Sequence, residues 1–255
     1  MIIASWNVNS LKVRLPHLLD WLSQRQPDVV CLQETKTENA KFPLADIEAA
    51  GYQVAYSGQK TYNVVAILSR HAICDAQPDI PDFEDEQKRV LAATIQGVRI
   101  ICAYVPNGQA VDSEKYYYKL KWLAALERWL AAELQHHPKL AVLGDYNIAP
   151  ADEDVHDPQA WAGQVLCSER ERAAFQRLVD LKLSDGFRLF AQAEKSFTWW
   201  DYRMNAFKRK MGMRIDHILL SAELAALCKR CEIDIEPRGR ERPSDHTPIW
   251  AELGQ

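Results

Sequence analysis

Strand-type apolar runs that follow one another with no helix between them constrain this chain more than any other feature. Such runs recur at 2–6, 29–32, 52–56, 64–68, 91–95, 98–105, 140–143, 197–200, 215–220 and 248–253. Several alternate apolar with polar residues, as half-buried strands do. Because many arrive in adjacent pairs, a purely parallel doubly wound sheet is disfavoured. Helical spacing separates others: Leu15, Leu18, Leu19 and Leu22, then Leu123, Leu126, Leu130 and Leu134. A third helix is signalled by Ser168-Glu169-Arg170-Glu171, which fits a capping box and leads into Phe175, Leu178, Val179 and Leu181. The pattern predicts an α/β (α+β) fold of two packed sheets with helices outside. No Ser/Gly-rich linker or low-complexity tract divides the 255 residues, so a single domain over 1–255 is expected.

A hydrophobic content of 47% with 26% charged residues excludes a disordered or collagen-like chain. The longest stretch without a charged residue, 100–111, contains Pro106 and Gly108 and falls short of the roughly 18 apolar residues that span a bilayer. The first residues, Met-Ile-Ile-Ala-Ser-Trp, lack a basic n-region and read as a strand rather than a secretory signal, so a cytoplasmic location is expected. Of the six cysteines, Cys31, Cys102 and Cys167 sit inside apolar runs, the setting of reduced, buried thiols. Cys228-Lys-Arg-Cys231 has no second pair or nearby His to complete a zinc site.

Charge is unevenly distributed around a net −4. The segments 79–86 and 152–157 are acidic, whereas 203–214 carries Arg203, Lys208, Arg209, Lys210 and Arg214 without one acid. A solvated loop accounts for such a run. A phosphate-facing loop is the alternative, favoured by Phe197, Trp199, Trp200 and Tyr202 immediately before it, because a nucleic acid has an anionic backbone and stacking bases. A local positive field steers a ligand even against the net charge.

Polar residues cluster at the ends of apolar runs: Asn7 and Asn9, Glu34, Asp145 and Asn147, Asp216, and Asp245 with His246. Any one of these fits an ordinary turn. Together, at one rim of a sheet, they form a set of oxygen donors without Cys or paired His, which suits Mg²⁺ or Mn²⁺ and not zinc. No Gly-x-Ser-x-Gly, Gly-x-x-x-x-Gly-Lys, Gly-x-Gly-x-x-Gly or His-Glu-x-x-His motif is present. His17, His71, His136, His137 and His156 lack such company and read as structural or surface residues. In an extended segment Asp245 and His246 point to opposite faces, so the partner that orients His246 comes from elsewhere. Asp216 is the candidate, which leaves Asp245 for a metal or its waters.

Six motifs in register carry a family resemblance. Trp6-Asn7-Val8-Asn9-Ser10, Leu32-Gln33-Glu34-Thr35-Lys36, Tyr104-Val105-Pro106-Asn107-Gly108, Gly144-Asp145-Tyr146-Asn147-Ile148-Ala149-Pro150, Arg214-Ile215-Asp216-His217 and Ser244-Asp245-His246-Thr247-Pro248 resemble, in order, those of the exonuclease III and AP endonuclease family. That family lies within the endonuclease/exonuclease/phosphatase superfamily. The resemblance implies a four-layer sandwich, two mixed sheets flanked by helices, and Mg²⁺-dependent hydrolysis of phosphodiesters in duplex DNA, 5′ to abasic sites or at 3′ ends, leaving a 3′ hydroxyl. It implies Glu34 as the principal Mg²⁺ ligand, with Asn7 and Asp245 close to the ion. Asp145 corresponds to the residue that activates water, and Asn147 to the one that holds the water or stabilises the phosphorane; both also belong to the implied metal surroundings. Asp216 and His246 correspond to the orienting pair, Tyr104 to a phenol on the scissile phosphate and Lys36 to a phosphate-side cation. Trp199 and Met213 take the places of two walls of the pocket for a baseless sugar. Arg203 and Lys208 fall among the residues expected to meet DNA. A monomer is expected.

The chain departs from the family pattern at the substrate side. Asn9 stands where some members have Asp, Met213 is softer than an aromatic wall, and the resemblance implies that the segment 161–168, with Leu166 and Cys167, borders the pocket. Incision at abasic sites and trimming of 3′ ends both stay open, including a specialised 3′-exonuclease with little AP endonuclease activity. A small-molecule phosphatase of the same fold is a further alternative, opposed by the aromatic-then-basic stretch 197–214. A nucleic-acid-binding module with a decayed site is opposed by the presence of Glu34, Asp145, Asn147, Asp216, Asp245 and His246.

Overall fold

A computed structural model describes residues 1–57 and 65–254 of the chain. The strands in chain order begin with β1 (Ile2–Asn7), β2 (Val29–Gln33), β3 (Gln53–Ser57), β4 (Val65–Ser69), β5 (Cys74–Pro78), β6 (Val90–Ile95) and β7 (Val98–Tyr104). They continue with β8 (Leu140–Asp145), β9 (Leu183–Asp185), β10 (Trp199–Trp200), β11 (Gly212–Met213), β12 (Asp216–Ser221), β13 (Cys228–Ile233) and β14 (Ile249–Leu253). The helices are α1 (Leu11–Arg25), α2 (Leu44–Ala49), α3 (Glu114–His136), α4 (Pro158–Trp161), α5 (Glu169–Asp180) and α6 (Ala222–Leu227). Of the expected run 64–68, Val64 lies outside the described residues.

Two six-stranded sheets form, one in the order β13-β14-β1-β2-β4-β3 and the other β5-β6-β7-β8-β12-β9. Each contains a parallel pair, β1 with β2 and β7 with β8, bridged by α1 and α3 respectively, since parallel neighbours need a long crossover. The remaining pairs are antiparallel. Between the sheets lies a core to which Ile3, Val29 and Ile67 contribute from one and Ile100, Leu143 and Ile218 from the other. A second core, with Trp122, Leu126, Leu130 and Phe175, seats α3 and α5 on the outer face of one sheet, and a third, with Leu18, Trp21 and Leu22, seats α1 on the other. The four layers follow from these three apolar seams, each burying side chains that stabilise the fold by about 1.5–3 kcal/mol apiece.

The helix ends obey the local chemistry of their residues. The Ser113 side chain accepts from Tyr116 N at the start of α3, and Ser168 with Glu171 makes the reciprocal capping box that opens α5. Four strands are absent from the sequence reading: the two-residue β11, which pairs with β10, and three at sheet edges. β5, β9 and β13 have polar, partly exposed sequences, as edges do. The Cys228 and Cys231 pair lies on β13, and all six thiols are free. Among the described residues no helix is long and apolar enough to cross a membrane.

Candidate active site

The carboxyl ends of both parallel pairs open at one pole. Asn7 closes β1 and Glu34 follows β2; Tyr104 closes β7 beside Asp145, which closes β8. Asp216 opens β12 directly opposite Asp145. His246 arrives just before β14 through an isolated bridge to Trp199. Gly144 makes this approach feasible: a Cβ there would sit 1.8 Å from the Ala103 carbonyl oxygen. The pole also concentrates left-handed backbone at residues other than glycine: Asn9, Ser10, Glu34, Lys36, Asn147 and Leu166 have φ between 41° and 88°. Such conformations cost of order 1–3 kcal/mol each and persist where surrounding contacts hold them.

At the centre, His246 Nδ1 donates to Asp216 Oδ2 at 2.8 Å, so Asp216 orients the imidazole. Its Nε2 faces Asp145 Oδ2 at 3.7 Å. Burial opposes charging of His246, but Asp216 and Asp145 outweigh it and push the imidazole up to about 10. Burial raises Asp145 to about 7, with Asp216 adding to the rise and His246 opposing it. Asn7 Nδ2 bridges two carboxylates, reaching Asp145 Oδ2 at 2.9 Å and Glu34 Oε1 at 3.0 Å. Its oxygen accepts from Asn9 N, so in this arrangement Asn7 donates to the acids through its Nδ2. Glu34 Oε1 also accepts from the Tyr104 hydroxyl at 2.8 Å, and Oε2 pairs with Lys36 Nζ at 2.8 Å. Although burial disfavours its charge, hydrogen bonds from Asn7 and Lys36 hold Glu34 below the usual carboxylate range. Burial and the neighbouring acids keep the Tyr104 phenol protonated.

Asn147 sits at the end of the same loop as Asp145 and donates its backbone N–H to Asp145 Oδ1 at 2.9 Å. Its side-chain oxygen accepts from Asn107 Nδ2 and its Nδ2 donates to Val105 O, both at 3.0 Å. The carboxamide thus ties the loops that follow β7 and β8 together beside Asp145. At the rim, Asp245 accepts from Asn9 Nδ2 at 2.8 Å and from Trp199 Nε1 at 3.1 Å. Asn9 accepts from Lys36 Nζ at 2.5 Å. A neutral carboxamide thus joins an ammonium to a carboxylate where a second acid would repel Asp245.

Asn7, Glu34, Lys36, Tyr104, Asp145, Asn147, Asp216, Asp245 and His246 converge, and Trp199 joins them through Asp245. Arg203 is exposed and paired with Asp201 at 2.7 Å, and Lys208 is exposed on the basic loop. Met213 departs from expectation: it is wholly buried among Leu166, Cys167 and Val155 and forms no open wall. Arg214 is not phosphate-facing either. It is buried and bound to Asp154 at 2.7 Å and Asp185 at 2.8 Å, which also removes Asp154 from the solvated acidic loop. Sequence reasoning gave no role to Asn107, which lies inside a quoted motif, or to Arg14. Arg14 is invisible to pattern because it acts across the fold, binding Asn9 O at 2.6 Å and the Tyr202 hydroxyl at 2.9 Å.

The donor set fits a hard divalent cation. Glu34, Asp145, Asp216 and Asp245 face Lys36 and His246, an excess of negative charge supplied by oxygen atoms. Asp145, Asp216 and His246 offer ligand atoms within 4.8 Å of one another, and buried Asp216 Oδ1 finds no partner among the described residues. Glu34 and Asp245 are the carboxylates nearest the open rim.

Comparison with known proteins agrees with this geometry. The model of the Endonuclease/Exonuclease/phosphatase family matches residues 4–246. An exodeoxyribonuclease III of Haemophilus influenzae is 38% identical, covering 99% of this chain and 100% of the relative. The solved structure of a Neisseria 3′ phosphatase bound to a product DNA hairpin is 47% identical with a TM-score of 0.98, each chain covered in full. An AP endonuclease from Archaeoglobus fulgidus is 39% identical with a TM-score of 0.94, over 99% of both chains.

Proposed function

The chain belongs to the endonuclease/exonuclease/phosphatase family and is a phosphodiester-cleaving hydrolase, and from that premise we propose a Mg²⁺-dependent DNA repair nuclease acting on duplex DNA and leaving a 3′ hydroxyl. The observation that carries this reading is the buried sequence Asp216–His246 facing Asp145, joined through Asn7 to Glu34. Residues from both ends of the chain complete this site, which supports one catalytic domain over 1–255, and we assign it a monomeric state. Free thiols suit a cytoplasmic location.

In this reading Asp145 accepts the proton of the attacking water. A carboxylate near neutral is well matched to that task. His246, held by Asp216 and carrying both ring protons at neutral pH, presents Nε2–H to the scissile phosphate and offsets charge as it develops. Asn147 commits one Nδ2 hydrogen to Val105 O, and we assign the other to a phosphate oxygen. Tyr104 and Lys36 shift donors from Glu34 to the phosphate when substrate arrives. Glu34 and Asp245 would hold the cation, which when bound supplies Lewis-acid neutralisation of the phosphoryl group. Trp199 flanks the terminal sugar. Arg203 and Lys208 follow the backbone, where each phosphate contact adds salt dependence.

Within this reading, 3′ ends are favoured over internal abasic sites. Leu166 and Met213 are buried against each other beside Trp199, so space for a flipped sugar is filled by side chains. The test uses two end-labelled duplexes, one with an internal abasic analogue and one with a recessed 3′ end, with Mg²⁺ or with EDTA. Trimming of the recessed end that EDTA abolishes is the expected result. Incision at the analogue at an equal or faster rate would overturn the preference, and trimming unaffected by EDTA would overturn the metal requirement.

A further inference from the structure

Lys119 is an ammonium with no exposed surface, set in the face of α3 that packs beneath the active pole. Its Nζ has three hydrogens and meets three oxygens: Asn107 O at 3.1 Å, Asn147 O at 2.6 Å and Glu171 Oε1 at 2.5 Å. The two carbonyls belong to the loops that follow β7 and β8. Those loops are also joined by the Asn107 side chain on Asn147, by Asn147 Nδ2 on Val105 O and by Val105 N on Asp145 O, and Asn147 in turn fixes Asp145 through its N–H. Asn147 has left-handed backbone, which needs outside contacts to persist. Gly108 lets the first loop come down onto the lysine, since a Cβ there would lie 3.2 Å from Lys119 Cδ. The counter-ion is equally committed: Glu171 also accepts from Leu166 N at 3.0 Å and from Ser168 Oγ at 2.5 Å. One buried ion pair thus clamps both loops of the catalytic pole and the pocket rim. No residue of this pair appears among the groups expected to touch substrate.

We propose that Lys119 is a positioning residue for hydrolysis, its ammonium setting the joint placement of the Asn107 and Asn147 loops and thereby of the Asp145 carboxylate. The inference rests on the assignment of Asp145 and Asn147 to the reaction. A lone buried charge is costly whereas a neutral pair of similar shape is tolerated, so the informative variant is the double one, Lys119→Met with Glu171→Gln, in which glutamine still accepts from Leu166.

The test measures melting temperature, KM and kcat on a recessed 3′ end for the parent, the double variant, Asn147→Ala and the three combined. The expected result is a double variant melting within a few degrees of the parent with KM nearly unchanged. Its kcat falls about a hundredfold, the penalty for displacing a reacting group by about an ångström. Adding Asn147→Ala should then cost much less than it does in the parent, because the clamp acts through that residue. A folded double variant with kcat within threefold of the parent overturns the proposal. So does strict additivity with Asn147→Ala, and so does a double variant that fails to fold, since each assigns the pair a purely structural role. Parent-like activity of Asn147→Ala alone would instead overturn the underlying assignment.

Discussion

His246 and His217 are both buried imidazoles, one held by a residue of β12 and the other carried by it, and they lie on opposite faces of that strand. Asp216 points to the active pole and binds His246, while its neighbour His217 points to the outer face, against Tyr146 and Phe175. His217 donates from Nε2 to Ile148 O at 2.9 Å, and Arg214 donates to its Nδ1 at 2.9 Å. Burial first and Arg214 second drive it down to about 4. Carboxylates surround the one ring and a guanidinium abuts the other, so equal burial produces a charged imidazole in one place and a neutral one in the other. The neutral His217 and the buried Arg214 hold the loop of Ile148 from behind, and the charged His246 faces Asp145 in front.

The comparison is broken most forcefully at the front. Asp145→Asn should lower single-turnover cleavage by about a thousandfold or more, with DNA affinity within a few fold of the parent; near-parental turnover would remove Asp145 from the proposed base role. Behind the site, Arg214→Met leaves Asp154 and Asp185 without their principal cation. Urea denaturation should show a loss of about 3–5 kcal/mol, while kcat of the folded fraction stays within about tenfold of the parent. A larger loss of kcat than of stability would erase the distinction between front and back. The smallest effect is in pH dependence. The unfolded state binds more protons than folded His217 between pH 6.5 and 4, so its contribution is complete above 6.5 and is lost as pH falls toward 4, by about 3 kcal/mol. His217→Gln should flatten that acid limb in EDTA. Asp145 and His246, both raised, act with the opposite sign: Asp145 loses stability as pH climbs from 3.8 through about 7, and His246 from 6.5 toward about 10. An acid limb unchanged in His217→Gln would place the titrating group elsewhere.

Central strands were legible because they are buried on both faces: β1, β2, β4, β7, β8 and β12 are continuous apolar runs. Edge strands such as Cys74-Asp-Ala-Gln-Pro carry no such pattern, since their pairing is backbone chemistry that any sequence can supply. The front of the site was legible for a related reason. A carboxylate at the end of an apolar run, as at Glu34 or Asp145, breaks the burial pattern where the chain leaves the sheet. Side-chain alternation set Asp245 aside as the partner of His246 and left Asp216 as the candidate, and the structure has that hydrogen bond. The back of the site was opaque. Asp154, Asp185 and Arg214 look like loop charges in a linear reading, and their mutual neutralisation exists only after residues 60 apart along the chain meet. Closure of the Met213 wall was equally hidden, because it depends on Leu166 adopting a left-handed conformation that leucine seldom takes.

Adjacent residues of β12 serve opposite faces, and this makes the strand intolerant of changes in length. Deleting or inserting one residue just before Asp216 would exchange the two side chains, presenting an imidazole to His246 and burying a carboxylate under α5. Substitutions at this strand can be graded, whereas insertions and deletions are all-or-none. A change in chain length is therefore better absorbed by the loops than by β12.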